Sequence, residues 1–228
     1  MSITWNGVNS DTIGVVVERI PNRYVPARRF SPQAVAGRNG NLLLVDKTFP
    51  NVEQEYEVYL SAETPGLPSV ARACAEWLMA PDGYAELKDS YDASIYREAY
   101  IMGGFDIENI LNQFGRCTIT FSCKPQKFLL SGTDWHGFVG GGTITNPTPF
   151  DARPFIRVSG VGEIVINGKS IIIQDTVSNF LIDCESMEAT DNSKIYCMDF
   201  PVLSGGENTV TCASTITSLS MVPRWWTL

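Results

Sequence analysis

The chain has 228 residues, 44% of them apolar and 18% charged, which marks a folded chain and excludes a disordered one; the length admits two modest domains. Asp and Glu number 25 against 17 Lys and Arg, a net charge of −8, so the clustered cations of a non-specific nucleic-acid binder are not expected. No run reaches the roughly 18 apolar residues of a membrane-spanning helix, and "MSITWNGVNSDTIG" lacks the basic start and apolar core of a signal peptide.

In chain order, the first informative stretch is "VAGRNG", residues 35–40, before the apolar run of "NLLLVDKTFP". A phosphate-gripping loop opens onto a helix, whose aligned N–H groups attract the anion. The run after Gly40 has strand character and no helical stripe, and Asn39-Gly40 suits the positive φ of a tight hairpin turn. The reading is a hairpin tip with Arg38 exposed. "EQEYEVYL" then places Tyr56, Val58 and Leu60 on one strand face and Glu55 and Glu57 on the other.

One helix is predicted in "TPGLPSVARACAEWLMAPDG". Leu67, Val70, Ala71, Cys74, Trp77 and Leu78 recur at helical spacing. Pro68 suits a first turn, and Pro81 with Gly83 ends it. In "CTITFSC", Cys117, Ile119, Phe121 and Cys123 alternate with Thr118, Thr120 and Ser122, the period of a half-buried strand. One helix beside several strands gives an α+β first domain, residues 1–130.

Residues 129–145 are rich in glycine, as an exposed linker or an ordered loop would be. The second domain, 131–228, reads as all-β. "GEIVINGKSIII" is a hairpin around Asn167-Gly168, and "NFLIDCES" and "NTVTCAS" alternate as strands. Short strands with regular turn signals point to a β-sandwich. The fold class is therefore mainly β.

Chemistry-bearing residues are sparse. The single histidine, His136, and the absence of any Cys-x-x-Cys pair leave the usual zinc sites without ligands. A nucleophilic triad would have to use His136, on a glycine-rich stretch that holds geometry poorly. "GGG" at 140–142 lacks the Lys-Ser/Thr of a P-loop and the spacing of a dinucleotide loop. The carboxylates Asp92, Glu98, Asp106 and Glu108 read as solvated. No catalytic set, metal or cofactor is expected. The six cysteines are expected to be reduced and buried. Trp135, Trp225 and Trp226 are core or interface rings; exposed, they would form a sugar-stacking platform.

Taken in order, "NSDTIGVVVERIP", "VAGRNGNLLLVD", the "EWL" helix end with "LKDSYDASIYREAYI", and "GRCTITFSCKPQKFL" resemble the ring-forming domain of phage distal tail (Dit) proteins. "TNPTPFDARPFIRVSGVGEIVINGKSIII", "FLIDCESMEAT", "FPVLSGGENTVT" and "ITSLSMVPRWW" continue the likeness almost to the end, in the short form found in long, non-contractile-tailed phages. The resemblance implies a homohexameric ring built by the N-terminal domain, with a galectin-like β-sandwich projecting from it. It implies a baseplate hub at the tail tip that joins the tail-tube protein to the tail-associated baseplate protein and can hold a receptor-binding protein for host attachment. DNA would pass through the ring without specific binding, which an acidic or neutral lumen favours. The implied location is the virion tail tip, with assembly in the host bacterial cytoplasm and no membrane. The candidate contacts between protomers or with partners are then Arg28, Arg29, Gly37, Arg38, Asn39, Gly40, Asp92 and Tyr96. The alternative is a carbohydrate-binding module, with Trp225 and Trp226 as glycan contacts. A glycosidase resting on scattered carboxylates ranks last.

Overall fold

A computed structural model describes residues 1–46, 48–62, 66–104, 106–111 and 114–228. Thr64 and Pro65, at the start of the predicted helical segment, lie outside them. The chain is mainly β and divides into two compact units, Met1–Lys127 with Leu228, and Phe128–Thr227.

The first unit contains β1 (Ile3–Trp5), β2 (Val8–Asn9), β3 (Val15–Val17), β4 (Phe30–Ala34), β5 (Asn41–Val45), β6 (Val52–Ser61), α1 (Leu67–Met79), β7 (Ala85–Asp89), β8 (Ile95–Ile101), β9 (Glu108–Leu111) and most of β10 (Phe114–Leu129). Its sheet runs β2-β1-β7-β8-β10-β6-β3. The β10–β6 ladder sets Cys117 opposite Val58, Ile119 opposite Tyr56 and Phe121 opposite Gln54. The alternation expected for both strands therefore meets on one buried face.

Helix α1 begins with Pro68 in its first turn, where the missing N–H is not needed. It buries Leu67, Cys74, Trp77 and Leu78 against that face, with Val70 and Ala71 beside them. Two indoles bind it to the N-terminal strand. Trp77 Nε1 donates to the Trp5 carbonyl (3.2 Å), and Trp5 Nε1 donates to the Leu78 carbonyl (3.3 Å). Each ring thus buries its apolar body while its one donor is satisfied.

The second unit holds β11 (His136–Phe138), β12 (Gly141–Asn146), β13 (Phe155–Ile166), β14 (Lys169–Asp183), β15 (Glu188–Ala189), β16 (Ile195–Cys197), β17 (Gly206–Cys212), β18 (Ile216–Val222) and β19 (Trp226–Thr227). Strand β13 organises it. Its first half pairs with β18 and its last residues, Ile164–Ile166, pair with β17. The register shifts at Gly160 and Gly162, both at positive φ (117° and 128°). These bulges bend the strand so that one chain segment serves both parts of a curled sheet. A Cβ on Gly160 would lie 2.4 Å from the Thr215 carbonyl oxygen, so only glycine fits. The core between is largely aliphatic, with Ile156, Val158, Ile164, Ile166, Ile171 and Ile182 fully buried and Phe138, Phe180 and Trp225 among them.

The β13–β14 hairpin turns at Asn167-Gly168, with φ of 49° and 80° and Ile166 opposite Lys169, as the sequence predicts. Both strands are longer than expected, and "NFLID" is the far end of β14. The glycine-rich stretch is also more regular than a linker or loop: β11 pairs with β18 and β12 with β17. A Cβ on Gly141 would meet the Val210 carbonyl oxygen at 2.7 Å, so this glycine permits close strand approach.

Candidate functional site

Two features of the first unit stand apart from ordinary packing, one exposed and one buried. The exposed one is the two-stranded ribbon β4–β5. Ala34 pairs with Asn41 and Phe30 with Val45. The connection is therefore six residues, 35–40, and not a two-residue Asn-Gly turn. Positive φ falls at Gly37 (79°) and Gly40 (77°), the positions that need no Cβ.

The apolar run "LLLV" lies in β5, yet every residue of the ribbon is exposed, Leu43 by 55% and Phe30 by 50%. Contiguous apolar surface of this kind makes the ribbon a candidate interaction surface. Its cations surround it. Arg38 sits exposed in the connection, and Arg28 and Arg29 lie exposed just before β4. The Arg28 guanidinium lies 5.2 Å from the Phe49 ring centroid. Arg29 extends the ladder, its N–H donating to the Thr48 carbonyl (3.3 Å).

Six of the predicted contact residues, Arg28, Arg29, Gly37, Arg38, Asn39 and Gly40, thus gather on and beside one ribbon. Asp92 and Tyr96 do not join them; they belong to the β7–β8 connection and β8. Asp92 shapes that turn, its carboxylate accepting from Ser94 Oγ (2.8 Å) and its carbonyl from the Ile95 N–H (3.4 Å).

The buried feature was missed by sequence reasoning. Asp89 ends β7, its side chain fully enclosed, and it accepts from the Arg97 guanidinium and from the Tyr56 hydroxyl. Burial, then the Asp89 charge, holds the Tyr56 phenol well above its ordinary pKa. Burial opposes the charge on Arg97, but Tyr56 and Asp89 outweigh it and keep that pKa above the usual value. The signal was present in "IYREAYI", where Arg97 shares the inward face with Ile95 and Ala99. A charge on a buried strand face implies a buried partner.

The remaining candidates are dispersed. His136 is exposed on β11. Among the described residues, no group of three or more His, Cys, Asp or Glu side chains is placed to hold a metal. All six cysteines are free: four are buried, and Cys197 and Cys212 are partly so. Burial pushes the thiols of Cys74, Cys123 and Cys184 up to about 12, and that of Cys117 to about 11.

Trp225 and Trp226 do not share an open platform for a sugar. Trp225 is 3% exposed within the second core. Trp226 stacks on Phe150 at 4.4 Å, and its indole N–H donates to the Asp151 carbonyl (2.9 Å). Trp135 is the exposed indole of the three, with the Arg157 guanidinium 3.9 Å from its ring centroid.

No protein-family model matches the chain, and no curated protein sequence matches it. The fold, however, is similar to that of the SPP1 Dit (gp 19.1) protein, described as a paradigm of the hub adsorption apparatus in phages infecting Gram-positive bacteria. The TM-score is 0.73 at 13% identity, over 100% of this chain and 99% of that one.

Proposed function

We propose that the chain is a structural hub of a phage tail tip, of the distal tail protein kind, that closes into a homohexameric ring. The observation that carries this reading is the fold shared over the full length of both chains with a hub adsorption protein. The reading gives the exposed ribbon a purpose. A ring of identical subunits needs a heterologous contact, one surface of a copy against a different surface of the next. The β4–β5 ribbon offers unpaired strand edges and apolar side chains flanked by Arg28, Arg29 and Arg38, suited to strand addition with charged register marks.

In this role the ring joins the tail-tube protein to the tail-associated baseplate protein, and the second unit is available to a receptor-binding protein. DNA passes without specific binding. The work is adhesion and geometry and needs no catalytic residue. Free, buried thiols suit assembly in the reducing host cytoplasm before incorporation at the virion tail tip.

Native mass measurement and negative-stain imaging of the purified chain test the proposal. A sixfold ring is expected, alone or with the neighbouring tail proteins. A strictly monomeric species at the highest attainable concentration, with no ring on adding those partners, overturns it.

A further inference from the structure

The chain holds three Asn-Gly pairs, at 6–7, 39–40 and 167–168. In each, the glycine nitrogen can close a five-membered ring on the preceding carboxamide carbon, and glycine has no Cβ to obstruct the approach. The fold treats the three pairs differently.

Asn6-Gly7 and Asn167-Gly168 are two-residue hairpin turns, clamped by Trp5 opposite Val8 and by Ile166 opposite Lys169. Both asparagines sit in the left-handed region at φ 49°. The Asn6 N–H donates to the Glu86 carbonyl (2.9 Å). Asn167 is held on both side-chain atoms and on its N–H. Its Nδ2 donates to the Val202 carbonyl (3.2 Å) and to Asn208 Oδ1 (2.6 Å), and its Oδ1 accepts from the Thr209 N–H (3.0 Å). Its own N–H donates to the Thr209 carbonyl (3.0 Å). A peptide plane fixed in this way has little freedom to swing towards the side chain.

Asn39-Gly40 lies instead in the six-residue connection of the β4–β5 ribbon. The hydrogen-bonded turn there, Arg38 N–H to the Val35 carbonyl (3.2 Å), stops before Asn39, and the ladder resumes at Asn41. Asn39 is exposed, and left-handed backbone falls on Gly37 and Gly40 rather than on it. A Cβ built on Gly40 would meet nothing within 4 Å. Among the described residues, neither the Asn39 side chain nor the Gly40 N–H forms a hydrogen bond. The exposed Arg38 adjoins the pair, and a neighbouring cation favours the anionic nitrogen that the attack requires.

We propose that Asn39-Gly40 is a self-modification site of the unassembled chain. Hydroxide removes the Gly40 amide proton, and the nitrogen bonds to Asn39 Cγ. The Cγ–Nδ2 bond then breaks, and the leaving nitrogen takes a proton from water and departs as ammonia. Water opens the resulting succinimide at either carbonyl and leaves an aspartyl or isoaspartyl residue. No oxidant, reductant or cofactor takes part. Position 39 thereby exchanges a neutral amide for a carboxylate beside Arg38, at the tip of the ribbon assigned above to the contact between copies. A ring that covers this tip guards the amide, so the reaction marks chains that have not assembled; this consequence rests on the ring reading, and the site itself does not.

The test incubates the full chain at mildly acidic and mildly alkaline pH, folded and in denaturant, and follows it by intact mass and acidic peptide mapping. The folded chain is expected to convert amide to acid at position 39, with isoaspartyl product present. The rate should rise about tenfold per pH unit, because the anionic nitrogen is populated far below its pKa. Positions 6 and 167 are expected to lag by about tenfold or more while the turns stay closed, and to join position 39 in denaturant. Asn39→Gln, whose closure needs a larger ring, should abolish the change at this position. A folded chain that keeps its Asn39 amide at alkaline pH while the denatured chain loses it overturns the proposal; so does conversion at Asn6 or Asn167 as fast as at Asn39. Rings separated from free chains by native mass measurement are expected to retain the amide. Rings that convert as fast as free chains overturn the guarding by assembly. A wild type that never associates sinks the ring reading and the guarding together, while mapping of the free chain still decides the site.

Discussion

The two units bury their polar groups in different ways. The second encloses Asn146, Thr148 and Asn208, all neutral. Asn146 Nδ2 donates to the Phe150 and Leu203 carbonyls (2.8 and 3.0 Å), and Asn208 Nδ2 to those of Ser204 and Gly206 (2.9 and 2.8 Å). These amides pin loops to an aliphatic core. The first unit encloses a charge pair, Asp89 and Arg97, and leaves a ribbon of leucines in water. The second unit meets its buried polar groups with its own backbone carbonyls and exposes apolar side chains off any two-stranded ribbon, Val139 and Met198 among them. The other spends buried surface on ions and keeps apolar surface unburied, as a subunit awaiting neighbours would. Folding stability and assembly should therefore separate by unit under substitution.

The largest effect is expected at Arg97. Arg97→Ala leaves Asp89 enclosed without its cation and should destabilise the first unit by about 3–5 kcal/mol. Denaturant unfolding followed by hydrogen exchange resolves which unit opens. Protection lost equally in both would show that the units do not respond separately.

In the second unit the matching break is steric. Gly160→Ala puts a Cβ against the Thr215 carbonyl at positive φ and is expected to cost about 2–4 kcal/mol. Exchange should rise first along β13 and β18. A melting temperature equal to the wild type would mean that the β13 bend does not require glycine.

Alkaline titration, under reducing conditions, sharpens the contrast further. Raised thiol and phenol pKa values mean that the folded state holds its protons more tightly. That stability is fully present below the ordinary thiol value of 9.0 and is lost as pH climbs towards the folded values of about 11 to 12. The first unit holds Cys74, Cys117, Cys123 and Tyr56 in this state, while Cys184 is the fully buried thiol of the second. The first should lose exchange protection at the lower pH, and simultaneous loss would count against this division.

The smallest folding effect is expected at the ribbon. Leu43→Asn with Leu44→Ser should move monomer stability by no more than about 0.5 kcal/mol, yet prevent ring formation in native mass spectra. A large loss of stability would mean that the ribbon is part of the monomer's core.

What the residues determined by themselves was local. The stripe from Leu67 to Leu78, with Pro68 in its first turn and Pro81 after, is enough to specify α1. Strict alternation in "CTITFSC" specifies a half-buried strand, and Asn167-Gly168 specifies the β13–β14 turn. Each depends on neighbours within a few residues, where periodicity and backbone sterics act directly. Tertiary structure decided the rest. "NLLLV" has the composition of a core strand, but whether such a strand finds a covering layer is settled elsewhere in the fold, and among the described residues β5 pairs only with β4. Tyr56 and Arg97 stand 33 and 8 residues from Asp89 and meet it because β6, β8 and β10 adjoin in the sheet order, with β7 bringing Asp89 beside them. Pattern along a chain fixes which face a side chain takes; only the closed sheet fixes what that face meets.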